Sequence, residues 1–155
     1  MAQKLAWNGA ALTESDIVTY LAGEGGAWTS WTPTVTQSGS VTVTNTRSRY
    51  ARYGRTIHYS IYLTVTGSGS AANAVTISTP VTAAAASEFC GVGAISDASA
   101  GLIYPAIVQL ASTTTFQMLN ATTAAADQRL GVTGFSAGLA NTDTIYLAGT
   151  FEAAS

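Results

Sequence analysis

The chain has 155 residues, with 6 Lys+Arg, 8 Asp+Glu and a single His; its formal net charge is −2, and it is 47% hydrophobic but only 9% charged. That length suits one domain with a sizeable core and at most a short appended arm, and the apolar content excludes a disordered chain. The slightly acidic balance removes the general attraction for phosphate on which a nucleic-acid reader depends, while one Cys and one His exclude a disulfide framework and Cys- or His-rich metal centres.

The first 30 residues read differently from the rest. Leu5-Ala6-Trp7 is too short for the apolar region of a secretion signal. Thr13-Glu14-Ser15-Asp16 has the form of an N-cap with acids in the first turn, which suits the positive end of a helix dipole. Ile17, Tyr20 and Leu21 follow at helical spacing, Gly23 offers a stop, and Glu24-Gly25-Gly26 reads as a joint. A helix this short is marginal alone and must pack on something. Residues 1–30 are therefore expected to be a helical arm, docked on its own domain or on a neighbouring chain, and 31–155 the domain itself.

From Trp28 onward the period becomes two. Val41, Val43 and Asn45 alternate with Thr42, Thr44 and Thr46. In the run 57–66, Ile57, Tyr59, Ile61, Leu63 and Val65 share one face, and His58, Ser60, Tyr62, Thr64 and Thr66 the other, as in a half-buried strand. Gly67-Ser68-Gly69-Ser70 is a turn; Val75 to Ser78 is a strand stopped by Pro80. Further strands are expected over Phe89–Ile95, Leu102–Leu110, Thr115–Leu119 and Thr144–Phe151, with Ala83–Ala86 a loop. Short strands at this spacing describe an all-β antiparallel β-sandwich, jelly-roll-like, preceded by the short helical arm. No run approaches the roughly 20 apolar residues of a membrane span, so no membrane insertion is expected.

Thr is β-branched and fits a pleated surface, so the polar faces are built from Thr and Ser instead of charge. A protein that stands alone usually keeps charge for solubility and to blunt edge strands. Its scarcity here points to edges and flanks covered by copies of the same chain.

Few residues suggest covalent chemistry. His58 lies mid-strand with no motif around it. Cys90 sits between Phe89 and Gly91 without a neighbouring cation to activate it and reads as a small buried hydrophobe. The acids are scattered singly, so neither an EF-hand loop nor the carboxylate pair of a saccharide hydrolase is apparent. No enzymatic activity and no cofactor are expected. The one charge cluster is Arg47-Ser48-Arg49-Tyr50-Ala51-Arg52-Tyr53-Gly54-Arg55, which holds four of the six basic residues. Alternating Arg and Tyr can serve a polyanion groove, or can be a strand pair turning at Gly54 with Arg stems over apolar surface and Arg heads on acids. Arg49, Tyr50, Arg52, Tyr53 and Arg55 are the candidates for a surface-binding site, with an anionic cell-surface polymer, a host-surface glycan, as partner in preference to nucleic acid. Trp28, Trp31, Tyr59 and Tyr62 are further sugar-stacking candidates whose default role is packing.

Trp28-Thr29-Ser30-Trp31-Thr32-Pro33-Thr34-Val35-Thr36, then Arg49-Tyr50-Ala51-Arg52-Tyr53-Gly54-Arg55-Thr56-Ile57, then the long alternating strand and Val75 to Pro80 resemble surface-exposed tail proteins of bacteriophages. Asn8 to Ile17 with Gly23 to Trp31 is similar to the N-terminal region of small minor tail or head-fibre proteins of phages infecting Actinobacteria. The resemblance implies a non-enzymatic virion component, a homotrimer assembled in the host cytoplasm. Its N-terminal segment would dock on other virion proteins through Leu12, Ile17, Tyr20, Leu21 and Trp28. The absence of a long shaft leaves two locations, a short tail appendage facing a host-surface glycan or a capsid decoration protein on the shell.

Overall fold

In a computed structural model, residues 6–7, 10–11, 27–122, 126–135 and 138–154 are described, the first four as backbone only. The helix expected over Thr13–Leu21 and the anchor residues Leu12, Ile17, Tyr20 and Leu21 lie outside them. The elements are β1 (Ala6–Trp7), β2 (Ala10–Ala11), β3 (Thr29–Ser30), β4 (Val35–Thr36), β5 (Ser40–Val41), β6 (Val43–Asn45) and β7 (Arg49–Tyr53), then β8 (Thr56–Val65), β9 (Thr76–Ser78), β10 (Phe89–Asp97), β11 (Leu102–Ser112), β12 (Thr115–Asn120) and β13 (Thr144–Glu152). Among the described residues there is no helix, and every strand pair is antiparallel. The all-β antiparallel class is therefore as the alternation predicts, and Ala83–Ala86 is a loop.

β1 and β2 form a ribbon of their own, and the other eleven strands form one sheet in the order β3-β7-β8-β13-β10-β11-β12-β9-β4-β5, with β6 on β8. Only Thr42 separates β5 from β6. Val41 pairs with Val35 on β4, whereas Val43 pairs with Val65 on β8, and the Thr42 carbonyl accepts from the amides of Thr66 and Gly67. The run Ser40–Asn45 thus touches both ends of the curled sheet and closes it. Closure removes most open edges without charged guards, which gives the sparse charge of this sequence an intramolecular reason.

The inward positions of the long strands fill the interior. Ile57, Tyr59, Ile61, Leu63 and Val65 of β8 are all buried, as are Val108 and Leu110 of β11, Phe116 and Met118 of β12, and Ile145, Leu147 and Phe151 of β13. Each such side chain contributes about 1.5–3 kcal/mol. Tyr59 stacks on Phe116 with centroids 4.6 Å apart, and Phe151 meets both rings. The loops 66–75, 126–135 and 138–143 add Val75, Leu130, Phe135 and Leu139 to this core. They are tied through buried Gln37, whose Nε2 donates to the Asn73 carbonyl at 3.1 Å and whose Oε1 accepts from the Leu139 amide at 2.8 Å.

Pro105 lies inside β11, where a missing N–H would normally break the ladder. It pairs with Ala94, and its carbonyl faces the Ala121 amide just beyond the end of β12. N and C=O of one residue point to the same side of an antiparallel strand. The absent N–H therefore falls where the β11–β12 ladder has already ended.

The β10–β11 hairpin turns through Ala98–Gly101 on the buried Asp97. Its carboxylate accepts from the Ser99 hydroxyl at 2.7 Å and from the amides of Ser99 and Ala100 at 3.0 Å. Those bonds, the Ser99 hydroxyl foremost, hold its pKa below the ordinary aspartate value. A depressed carboxylate stabilises the fold above the unfolded pKa, and that contribution is lost as pH falls through the folded value. The thermal midpoint should not change from this cause between neutral pH and about pH 5, and should fall below about pH 4. Asp97→Asn should lower the midpoint at neutral pH and flatten the acid limb, as read by circular dichroism. An unchanged acid limb in that variant would place the acid sensitivity elsewhere.

Candidate surface cleft

The β7–β8 hairpin turns on Gly54-Arg55, with Gly54 at φ 60°, the first central position of a turn that only glycine enters cheaply. A two-residue turn fixes the register: Tyr53 opposes Thr56, Ala51 opposes His58, and Arg49 opposes Ser60. Arg49, Tyr53 and His58 consequently share the outer face of the sheet. Tyr50 and Arg52 point the other way.

On that outer face Trp28, just before β3, lies under the Arg49 guanidinium, whose carbon is 4.5 Å from the ring centroid. This cation–π contact fixes both side chains. Tyr53 meets His58 edge-on with centroids 5.4 Å apart. Between the two pairs opens a cleft of about 610 Å³, floored by Ala51, Ser60, Ala148 and Gly149. Trp28 and Tyr53 are each about half exposed, at 48% and 50%. The Arg49 Nε, the Trp31 Nε1 and the Ser48 Oγ are all buried and have no hydrogen-bond partner among the described residues. Gly149 opposes Gly91 on β10 and Tyr59 on β8, at an inward position of β13 where the strands leave no room for a side chain. A methyl group on Gly149 would overlap the Cys90 carbonyl.

The five basic-segment candidates are thus divided. Arg49 and Tyr53 line the cleft. Tyr50 packs edge-on against Trp31, 6.2 Å away, on the core side. Arg52 bonds through Nε to the Gly54 carbonyl. Arg55 pairs with Glu152 at 3.1 Å and reaches the Ala153 carbonyl, as expected of an Arg head resting on an acid. Among the aromatic candidates, Tyr59 is buried in the core and Tyr62 stacks on Tyr146 at 4.5 Å. His58 carries no motif in the sequence and joins the cleft only through the hairpin register. The Gly54-Arg55 turn was the signal that could have found it.

None of the residues lining the cleft carries a carboxylate. Among the described residues no cluster of three His, Cys, Asp or Glu side chains could hold a metal ion, and no helix is long and apolar enough to cross a membrane. The arrangement can stack a flat apolar face on its rings and donate hydrogen bonds from Arg49, Tyr53, His58 and Ser60.

Cys90 is buried beneath the floor, close to the Tyr59 hydroxyl, which donates to the Cys90 carbonyl at 3.2 Å. Burial pushes the thiol pKa up, only partly offset by the Tyr59 hydrogen bond, and Glu88 adds to the rise. The thiol should react with a disulfide reagent far more slowly in the native protein than in denaturant. Equal rates would show that this part of the barrel opens freely.

No family model, curated protein or solved structure is significantly similar to this chain.

Proposed function

We propose that this chain is a non-enzymatic structural protein of a bacteriophage virion, oligomeric and outward-facing, that binds a host-surface glycan in the cleft between Trp28 and His58. In this reading the chain from Trp28 onward, one curled antiparallel sheet, is the head, and the segment before it is a helical arm that docks on other virion proteins. The observation that carries the binding part is the open cleft itself: two half-exposed rings, a guanidinium held over one of them, and no carboxylate for acid–base work. Sugars offer C–H faces to aromatic rings and hydroxyls to donors such as these. The motif order of the sequence supports the virion part. A minor tail location is preferred over a capsid decoration because a shell-stabilising protein has no need of a donor-lined cleft.

Two measurements test this. Trp fluorescence titrated with polysaccharide from the envelope of an actinobacterial host should saturate. Trp28→Ala and Tyr53→Ala should each weaken binding by at least about tenfold, the scale of losing 1.4 kcal/mol of stacking, while Arg52→Ala should not. Binding that ignores the first two substitutions would reject the cleft. Quantitative mass spectrometry of purified virions should find the protein at a handful of copies per particle. Hundreds in fixed ratio to the shell protein would place it on the capsid, and none would overturn the virion reading.

A further inference from the structure

Side chains on β10, β11 and β13 alternate in and out, and the middle of the outward set is apolar as well as the inward one, with Ser96, Gln109, Thr144 and Thr150 at its margins. Val92, Ile103, Ile107 and Tyr146 project into solvent, with Val92 at 66% and Ile103 at 70% exposure. The register places Val92 beside Ile107 and Ala148, and Ala94 beside Tyr146. These residues therefore form one continuous face instead of scattered exposed positions. Ala94 and Ala148 floor a shallow hollow of about 310 Å³ on its β8 side, where Arg47 is the one charged residue of the rim. From Thr144 to Thr150 on β13, and at every outward position of β10 and β11, no residue is charged.

With about 4.8 Å between strands and 3.3 Å per residue, the outward face of these three strands projects to about 300 Å². That is the size at which the largest apolar patch of a monomer is often functional. Exposed Phe89 and Leu102, at the starts of β10 and β11, extend it at the ends.

We infer that this face is the contact between copies of this chain, a second copy seating its own β10–β11–β13 surface or flank against it. A partner bearing ordinary surface charge would have to bury that charge unpaired against Val92 and Ile103. A copy of this chain brings no such cost, since its flanks are as poor in charge, with 14 acidic and basic residues in 155. The face also carries both ridges and a hollow, so side chains of the size that project from it find a receiving site on its copy. The assignment rests on the oligomeric part of the proposed function and not on its glycan or virion parts.

The test is size-exclusion chromatography with light scattering on the full chain. Wild type should elute at a multiple of 15.8 kDa. Val92→Lys and Ile103→Lys should each raise the concentration needed for assembly by at least about 100-fold, the cost of burying an unpaired charge, with unchanged circular dichroism. Thr82→Lys, on the loop after β9, should assemble as wild type does. As a readout without added charge, Ile103→Cys should resist a maleimide when assembled and react on dilution, buried Cys90 staying silent. A wild-type monomer at high micromolar concentration would overturn both this assignment and the oligomeric reading. Assembly that survives both Lys substitutions, or Ile103→Cys that reacts equally fast when assembled, would overturn the assignment alone.

Discussion

Phe116→Ala should lower the unfolding free energy by about 3–5 kcal/mol, the upper range for truncating a buried aromatic. Phe116 is fully buried on β12 and bridges the interior to Tyr59 of β8, 4.6 Å away, and Phe151 of β13, 5.7 Å away. Its contacts therefore join strands from opposite parts of the closed sheet. The cavity cannot be filled by moving one strand, because each wall is held in register on both sides. Urea denaturation followed by circular dichroism measures this. A loss below about 1 kcal/mol would mean that the interior repacks easily, and with it that the barrel is not a tightly interlocked core.

Asp143→Ala should cost about 2–5 kcal/mol. The carboxylate is 1% exposed and accepts from the Ala98 amide at 3.0 Å through one oxygen and from the Ala140 amide at 2.9 Å through the other. It ties the β10–β11 turn to the loop that precedes β13. Removing it breaks two hydrogen bonds to a buried carboxylate, at about 1.5–3 kcal/mol each, less what water recovers at the exposed Ala98 and half-buried Ala140. It also releases the restraint on Thr142, held at φ 78°, where a β-branched residue is strained. Asp143→Asn retains one acceptor oxygen and should fall between wild type and Asp143→Ala. Hydrogen exchange should accelerate at the Ala98 and Ala140 amides in particular. Protection lost uniformly over the whole sheet, with those two amides no different from the rest, would argue that Asp143 acts through global stability and not through this tie.

Strand positions were legible because alternation is a local signal. The run 57–66 predicts a strand with Ile57, Tyr59, Ile61, Leu63 and Val65 inward, and β8 spans Thr56–Val65 with those five buried. The expected strands from Phe89, Leu102, Thr115 and Thr144 start where β10, β11, β12 and β13 start. Their ends extend by one or two residues, since ladder bonds to a neighbour carry a strand past the point where its own pattern fades. Alternation failed to mark β10 and β11 as strands with two apolar faces, because an apolar residue at an outward position reads locally like an irregularity.

The binding candidates were legible as a cluster but not as a surface. Arg49, Tyr50, Arg52, Tyr53 and Arg55 are adjacent in sequence, yet a strand sends neighbours to opposite faces. Only the register across Gly54 gathers Arg49 and Tyr53 with His58, and only the fold adds Trp28, 21 positions before Arg49 in the chain. Arg55 was drawn off by Glu152, nearly a hundred positions away.

The sequence by itself determined the class of the protein: β-branched residues at period two, Gly and Ser turns, a buried lone thiol, and almost no charge. Those properties depend on each residue and its near neighbours, so the chain order contains them. Closure of the sheet by Ser40–Asn45, the cleft over Gly149 and the uncharged face of β10, β11 and β13 were decided by tertiary structure alone. Each depends on which strands pair and in what register, and pairing is selected by the summed burial of residues far apart in the chain.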